Sequence, residues 1–377
     1  MFHVGLTRYL ESVKTFHSAR SRRLVAVVVV LAAAGAGLLV VRPGGSRASA
    51  ATPPPSKLVG QRLMVAMHGT TADSSLLARI KAGQVGGVIL FSSNISTPAQ
   101  LTALAASLQA AAQAGGNPPL IIATDQEGGE VKRVPWSAPY RSAQELGQLP
   151  QSDVQESGAK TASGLHKDGI NVDLAPVADV PAGPSDFIEQ QHRAFSTSRF
   201  TVALDSNAFA QGLESGKVWP TFKHFPGLGL AAVSTDDALV YIRASRATLN
   251  KGLLPYQVAI RRQLHAIVML STAVYPAYDY RAPAWSPPIL EMLRGMGFAG
   301  VTMTDSLDSA AAVRHETVSS VAVRSAEAGT DMLLITGSES ESAGIYTKLL
   351  SAAQSGALST GNLTRSYNRI VTLKGRL

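Results

Sequence analysis

Short hydrophobic segments recur along the chain from about residue 60 onward, and turn residues bound each of them. They are almost continuously apolar, a pattern typical of parallel strands that helices cover on both faces. The pattern therefore predicts eight buried strands. Their bounds are Leu63–Met67, Gly87–Phe91, Leu120–Thr124, Ile170–Leu174, Val218–Phe222, Ala266–Leu270, Gly300–Thr304 and Met332–Ile335.

The stretches between these segments have helical spacing and recognisable ends. Thr97–Ala114 places leucines at positions 101, 104 and 108 on one face and ends at two glycines. Ser286 followed by Pro287 predicts the start of another helix, because serine caps a first turn and proline fits within it. Further helices are predicted at Thr201–Glu214 and Glu316–Ala328, with a last one from about Asn362.

Eight strand–helix units in roughly 320 residues indicate an α/β protein with a (β/α)8 TIM-barrel fold and a single catalytic domain. A doubly wound parallel sheet is the alternative architecture. No glycine-rich dinucleotide fingerprint follows the first strand, and the sequence contains no P-loop motif.

The N-terminal region differs from the rest of the chain. Residues 1–23 are basic, residues 24–41 are an uninterrupted run of Leu, Val, Ala and Gly, and residues 42–57 form a linker rich in Pro, Gly and Ser. The order predicts a transmembrane or signal segment that precedes a domain at 58–377. We expect an extracytoplasmic protein, anchored by this segment or secreted after its cleavage, with the membrane as a partner in the first case.

Composition excludes several other classes of function. Of the net charge of +8, residues 1–50 carry +6, so the remaining chain has no basic surface that suits a nucleic acid. The absence of cysteine excludes disulfides, thiolate metal sites and a cysteine nucleophile. No histidine spacing fits a metal site, and we expect neither metal nor organic cofactor. We also expect a monomer.

Polar residues follow the predicted strands at the ends that meet on the catalytic face of a barrel. Lys223 and His224 end the fifth strand, and they point to opposite sides unless a bend brings both inward. Asp125 ends the third strand, and Asp173 lies in the fourth. Such a mixture of acids and bases suits a hydroxyl-rich ligand.

Two acids carry specific hypotheses. Asp125 can accept two hydroxyl hydrogens from a sugar, with Arg133 as a second hydrogen-bonding arm, or it can form a plain acidic turn. Asp305, at the end of the seventh strand, can be an ionised nucleophile near Lys223, His224 and Arg193, or it can cap the following helix. Trp136 and Tyr275 can stack on a sugar or pack in the core.

Six motifs in order carry a resemblance to a known family. The chain from about Leu58 to Leu377 resembles glycoside hydrolase family 3, in its single-domain β-N-acetylhexosaminidase branch. The motifs are Asp125-Gln126-Glu127-Gly128-Gly129, Asn171-Val172-Asp173-Leu174-Ala175-Pro176-Val177-Ala178-Asp179-Val180, Arg193-Ala194-Phe195-Ser196, Lys223-His224-Phe225-Pro226-Gly227, Val268-Met269-Leu270-Ser271 and Thr304-Asp305-Ser306-Leu307.

The resemblance implies a TIM barrel, a carbohydrate substrate and a retaining hydrolysis of terminal β-linked N-acetylhexosamine, typically in peptidoglycan fragments. It implies that Asp305 is the nucleophile that forms a covalent glycosyl-enzyme. The residues that it implies for holding the sugar hydroxyls are Asp125, Arg133, Arg193, Lys223 and His224.

One part of the family pattern is missing. The branch places a His–Asp acid/base dyad in the loop after strand five, but here Leu228 replaces the histidine, and Ser234-Thr235-Asp236 occupies the place of the familiar Asp-Ser-His. Three explanations are open. Asp236 or Asp237 supplies the proton, a different residue such as His224 supplies it, or the protein cleaves poorly and binds wall glycans instead.

Overall fold

The computed structural model describes residues 52–377. The predicted basic segment 1–23, the apolar segment 24–41 and most of the linker 42–57 lie outside the described residues. Within the described part, no helix combines the length and the hydropathy that crossing a bilayer requires.

Eight parallel strands form a closed barrel in chain order. Adjacent strands pair in sequence, and the first also pairs with the last. A parallel bridge between Met303 and Met332 closes the ring between strands seven and eight. All eight predicted strands are confirmed, and the closure rules out the doubly wound alternative. The strands are β1 Leu63–Ala66, β2 Gly87–Leu90, β3 Ile121–Thr124, β4 Val172–Asp173, β5 Trp219–Phe225, β6 Ile267–Leu270, β7 Thr302–Thr304 and β8 Leu333–Ile335.

Helices cover the outside of the barrel, and several begin where the sequence predicts. The hydroxyl of Thr97 accepts from Gln100 N, and that of Ser286 accepts from Ile289 N. The α-helices are Pro55–Gly60, Ser74–Lys81, Pro98–Ala114, Ala143–Leu146, Gln151–Lys167, Phe187–Gln190, Arg199–Ser215, Arg246–Leu249, Leu254–Arg261, Pro287–Gly295, Leu307–Ala312, Val318–Ala328, Glu339–Gln354 and Thr360–Lys374, and a short hairpin pairs Gln126–Gly128 with Val131–Lys132.

Side chains alternate in direction along each strand, and this alternation places apolar residues inside the barrel and polar residues at its open end. On β3, Ile121 and Ala123 belong to the interior apolar cluster, and Asp125 continues the same phase at the end of the strand. On β7, Met303 belongs to that cluster and Asp305 follows two residues later. The register that buries the interior therefore directs these carboxylates toward the cavity above it.

A buried carboxylate ties the end of the chain to the barrel. Asp331 Oδ2 accepts from Arg294 Nη2 at 2.7 Å and from Thr302 N at 2.9 Å. Its Oδ1 accepts from Ser366 Oγ at 2.8 Å and from Arg369 Nη1 at 3.0 Å. The last helix, the helix before β7 and β7 itself thus share one anion that has no exposure to solvent.

We predict that Asp331→Asn lowers the free energy of unfolding by at least about 2 kcal/mol, because two guanidinium groups lose their buried counter-charge. The control is Glu156→Gln, which breaks the exposed pair that Glu156 forms with Lys160 at 2.8 Å and is expected to cost less than about 0.5 kcal/mol. Chemical denaturation of wild type, Asp331→Asn and Glu156→Gln measures both changes in the free energy of unfolding. Equal stability of the two variants would contradict this account.

Candidate active site

A cavity of about 500 Å³ opens at the carboxyl ends of the strands. All seven residues that the sequence proposes for the site line it: Asp125, Arg133, Arg193, Lys223, His224, Asp236 and Asp305. Barrel closure brings these residues together from five loops and strand ends that are distant in the sequence.

Four charged side chains form a compact network at one wall of the cavity. Lys223 Nζ lies 2.7 Å from Asp125 Oδ1 and 2.6 Å from Glu127 Oε1. Arg193 donates to both oxygens of Glu127, each at 2.8 Å. Two cations and two carboxylates balance here, with Glu127 at the centre. The sequence-based hypotheses assign no role to Glu127, although Glu127 lies two residues beyond Asp125 and therefore has the same position in the alternation of side chains.

Mutual attraction in this network offsets the unfavourable effect of burying charge. Burial by itself would raise the pKa of Glu127, but Arg193 and Lys223 lower it to about 2. Burial would lower the pKa of Lys223, and Asp125 and Glu127 raise it above its usual value. The folded state therefore favours the ionised forms of Glu127 and Lys223, and the network holds Lys223 and Arg193 in fixed orientations.

Asp173 lies near this network, and burial has the opposite effect on it. Its Oδ1 accepts from Gln126 N at 3.0 Å, and its Oδ2 has no partner. Burial raises the pKa of Asp173 well above the usual carboxyl value, although the hydrogen bond from Gln126 and the charge of Lys223 act to lower it. The folded state therefore favours the uncharged form of Asp173, which supports the turn after β3.

His224 is oriented by a second carboxylate that the sequence did not assign. Asp179 Oδ2 lies 2.8 Å from His224 Nδ1, and Asp179 Oδ1 accepts from the backbone N of His224 and of Leu228. This pairing turns Nε2 of His224 toward Asp305, whose Oδ2 is 4.0 Å away.

Lys223 and His224 both line the cavity, the peptide between them is cis, and β5 has a register shift there. The inward bend is thus the arrangement that the structure adopts.

Asp305 is accessible from the cavity, with 20% of its side chain exposed. Its Oδ1 accepts from Ser306 N at 2.8 Å. The cap of the following helix is Ser306, whose hydroxyl accepts from Ser309 N. Asp305 is therefore not the capping residue, and Oδ2 remains directed toward His224 and the cavity.

The loop after β5 places a second carboxylate in the cavity wall. Leu228, which replaces the histidine of the family pattern, is buried in an apolar cluster with Val177 and Tyr275. Further along the loop, Asp236 lines the cavity and stays accessible from it. The surrounding protein raises the pKa of Asp236, and the nearby Asp305 carboxylate raises it further. Two carboxyl groups, one at a strand end and one on a loop, thus share one cavity.

Arg133 enters the cavity from the hairpin that follows β3. Its backbone N donates to Gln126 Oε1 at 3.0 Å, while its buried Nε has no protein partner. Gly128 permits this hairpin, because its φ is +95° and a Cβ there would lie 2.1 Å from Arg141 O. The double glycine thus serves packing between backbone segments, and the hairpin places Arg133 in the cavity wall.

The two aromatic candidates do not line the cavity. Trp136 donates from Nε1 to Asp168 Oδ2 at 2.7 Å and packs against the outer core. Tyr275 is fully buried and donates to Gly227 O at 3.0 Å, which braces the loop after β5. Among residues 52–377, no group of three or more His, Asp or Glu side chains has an arrangement that could hold a metal ion.

Comparison with known proteins gives a consistent result. The sequence profile described as "Glycosyl hydrolase family 3 N terminal domain" matches residues 57–373. An uncharacterized secreted glycosyl hydrolase from Arthroderma benhamiae is 33% identical over 84% of this chain and 92% of its own length.

Two solved structures are similar in both sequence and fold. A β-N-acetylhexosaminidase from Beutenbergia cavernae is 32% identical, with a TM-score of 0.79 over 86% of this chain and 99% of that one. A glycoside hydrolase family 3 β-N-acetylglucosaminidase from Paenibacillus sp. is 31% identical, with a TM-score of 0.81 over 85% of this chain. The match covers 62% of that longer protein, so this chain corresponds to only part of it.

We predict opposite effects on stability from two neutralising substitutions at the charged network. Glu127→Gln should destabilise the protein at pH 7, because the folded state favours the ionised form. That loss should diminish as the pH falls from about 4.5 toward 2. Asp173→Asn should be neutral or stabilising at pH 7, because the folded state already favours the uncharged form.

Chemical denaturation at pH 7 and at a series of pH values from about 4.5 toward 2 measures both effects, and Asp173→Asn is the matched control for neutralising a buried carboxyl group. Destabilisation of equal size by the two variants at pH 7 would contradict the assigned protonation states.

Proposed function

Since the chain belongs to glycosyl hydrolase family 3 and is a glycoside hydrolase related to β-hexosaminidases, we propose that it is a retaining exo-glycosidase that removes terminal β-linked N-acetylhexosamine from cell-wall glycans. The observation that carries this proposal is the pair of carboxyl groups, Asp305 and Asp236, which share one cavity in unlike environments. Hydrolysis with retention requires one ionised and one protonated carboxyl group.

In the proposed mechanism, Asp305 attacks the anomeric carbon and forms a glycosyl ester while the glycosidic C–O bond breaks. Asp236 gives its proton to the departing oxygen. Water then attacks the anomeric carbon, Asp236 takes a proton from that water, and the bond between the anomeric carbon and Asp305 breaks, which releases Asp305 as a carboxylate. The roles fit the environments, because the raised pKa of Asp236 keeps a proton available and an acid of this kind contributes about 10²–10⁴ in rate.

The charged wall suits the recognition of sugar hydroxyls. Lys223 and Arg193 are already oriented by Glu127, so binding a hydroxyl costs little further ordering. Asp125 offers carboxylate oxygens, and Arg133 offers an unpaired donor. Charged groups that are already oriented in this way form strong hydrogen bonds with hydroxyl groups, which supports a polar, hydroxylated substrate.

Two alternatives concern the missing dyad. His224 could donate the proton, because Asp179 orients it and Nε2 faces Asp305. The buried Leu228, in turn, favours a weakly active or inactive protein that binds wall glycans, since an apolar side chain cannot transfer a proton. The secreted relative, together with the basic and apolar segments at 1–41, supports an extracytoplasmic site of action.

We predict that Asp305→Asn abolishes the hydrolysis of both nitrophenyl β-N-acetylglucosaminide and chitobiose, because no nucleophile remains. Asp236→Asn should slow chitobiose hydrolysis by about 10²–10⁴. It should affect the nitrophenyl substrate much less, because nitrophenolate leaves without protonation. Asp237→Asn tests the other carboxyl group that the same loop offers as the acid, and we expect it to change neither rate strongly; a large loss in Asp237→Asn in place of Asp236→Asn would assign the acid to Asp237.

Trapping with a 2-fluoro sugar should place the covalent adduct on Asp305 by mass spectrometry. If the difference between the two substrates appears in His224→Asn instead of Asp236→Asn, His224 is the acid. If wild type and Asp305→Asn share a background rate while calorimetry detects glycan binding, the protein is a binding protein.

We also predict that kcat/KM for chitobiose falls as the pH rises through the pKa of Asp236, which lies above the usual value of an aspartic acid. The acid must be protonated to act, so this limb should disappear from the profile of Asp236→Asn and persist in that of Asp237→Asn. A limb that remains unchanged in Asp236→Asn would assign the titrating group elsewhere.

A further inference from the structure

Two hydroxyl groups lie beside Asp305 at the open end of the barrel and take no part in the mechanism above. Ser306 and Thr336 both line the active-site cavity, and their side-chain oxygens are 2.8 Å apart. Ser306 lies two residues beyond the end of β7, and Thr336 directly follows β8. The contact therefore joins the turn that carries Asp305 to the neighbouring strand.

Asp308 fixes Thr336 from the first turn of the helix Leu307–Ala312. Its Oδ2 accepts from both the backbone N and the hydroxyl of Thr336, the hydroxyl at 3.2 Å. The next residue, Gly337, permits this approach, because a Cβ there would lie 2.5 Å from Asp308 Oδ1. The turn after β8 is thus tied to the helix that begins after Asp305.

The donors and acceptors among these side chains run in one direction. Thr336 donates its hydroxyl hydrogen to Asp308, and a hydroxyl has only one hydrogen. Thr336 Oγ1 can therefore only accept from Ser306 Oγ, while Ser306 Oγ itself accepts from Ser309 N at 3.3 Å. Each hydrogen has one acceptor, so the side chain of Ser306 is held in one orientation.

The backbone of Ser306 passes this constraint to Asp305. Ser306 N donates to Asp305 Oδ1 at 2.8 Å, and Asp305 Oδ2 faces His224 Nε2 across 4.0 Å. An N–H that binds a carboxylate forms a strong hydrogen bond of defined direction. Attack on carbon requires the reacting atoms to lie about 3–3.5 Å apart and in line, so a carboxylate that rotates freely loses rate.

We propose that Asp308, Thr336 and Ser306 form a positioning cluster that makes Oδ2 of Asp305 the attacking atom. The cluster acts through the orientation of Asp305 and transfers neither a proton nor an electron pair. Its hydrogen bond from Ser306 N to Oδ1 can persist in the glycosyl ester, because the ester carbonyl oxygen also accepts. The inference rests on the proposed glycosidase function, since it assigns the support of the nucleophile in that reaction.

The test measures the attack by Asp305 separately from later steps. With a 2-fluoro glycosyl fluoride, the new C–O bond forms as fluoride departs, and the adduct accumulates. Thr336→Val removes the hydroxyl and keeps the backbone N that Asp308 binds. We expect the rate constant of trapping, kinact, to fall about three- to tenfold, as for the loss of one neutral hydrogen bond, with KI unchanged.

Two further variants separate positioning from a general structural role. Thr336→Ser retains the hydroxyl and should restore most of kinact. Asp308→Ala removes the acceptor of both Thr336 hydrogen bonds and should lower kinact at least as much as Thr336→Val does. Combining Asp308→Ala with Thr336→Val should cause little further loss, because residues that act through the same contact are not additive.

Thr317→Val is the matched control. Its hydroxyl also accepts from a backbone N at the start of a helix, that of Ser320 at 3.3 Å, but Thr317 does not line the active-site cavity. We expect this variant to keep the wild-type kinact. Chemical denaturation of each variant verifies that the folded protein is compared.

The possible failures are distinguishable. Equal kinact in Thr336→Val and Thr317→Val would overturn the positioning role and leave the glycosidase mechanism intact. A rise in KI with unchanged kinact would show that Thr336 contacts the sugar directly, and a loss of stability with unchanged kinact would show a structural role. Either result would overturn the inference. If wild type itself forms no adduct on Asp305, the proposed mechanism fails, and the positioning role fails with it.

Discussion

Charge neutralisation between Glu127, Lys223 and Arg193 is the constraint on which the site depends. Lys223 and Glu127 are almost fully buried, so each needs its partner to remain ionised. Asp125 completes the balance from the end of β3. Because Glu127 takes both nitrogens of the Arg193 fork, the network fixes direction as well as charge. The cavity wall is consequently rigid before any ligand arrives.

The fold holds two other acidic residues of the cavity, Asp305 and Asp236, in different ways. Asp305 belongs to the barrel, where strand β7 and the backbone N of Ser306 set its direction. Asp236 belongs to a loop, and its acidity is set by partial burial and by Asp305 itself. The loop carboxyl group is therefore the one whose pKa is raised, while the strand carboxyl group faces His224. The difference arises from where each side chain is attached to the fold.

The loop after β5 is apolar at its start and polar where it reaches the cavity. Leu228 packs with Val177 and Tyr275 in an apolar cluster. The hydroxyl of Tyr275 does not line the cavity and donates to Gly227 O. Asp179 accepts from Leu228 N while it orients His224. Replacing a polar side chain by leucine thus anchors the start of the loop in apolar surroundings, and Asp236, eight residues later in the sequence, lies in the cavity wall.

The sequence by itself determined the barrel, because continuous apolar strands and capped helices are local patterns that each segment carries alone. It also determined which strand ends are polar, since Asp125 and Asp305 follow their strands directly and Lys223 lies in the last part of β5. Tertiary structure decided the partners. Glu127 and Asp179 acquire their importance only when the barrel brings them to Arg193 and His224, which lie 66 and 45 residues away in the sequence. The acidity of Asp236 likewise depends on burial and on a carboxylate from another strand, and no local pattern encodes either of these.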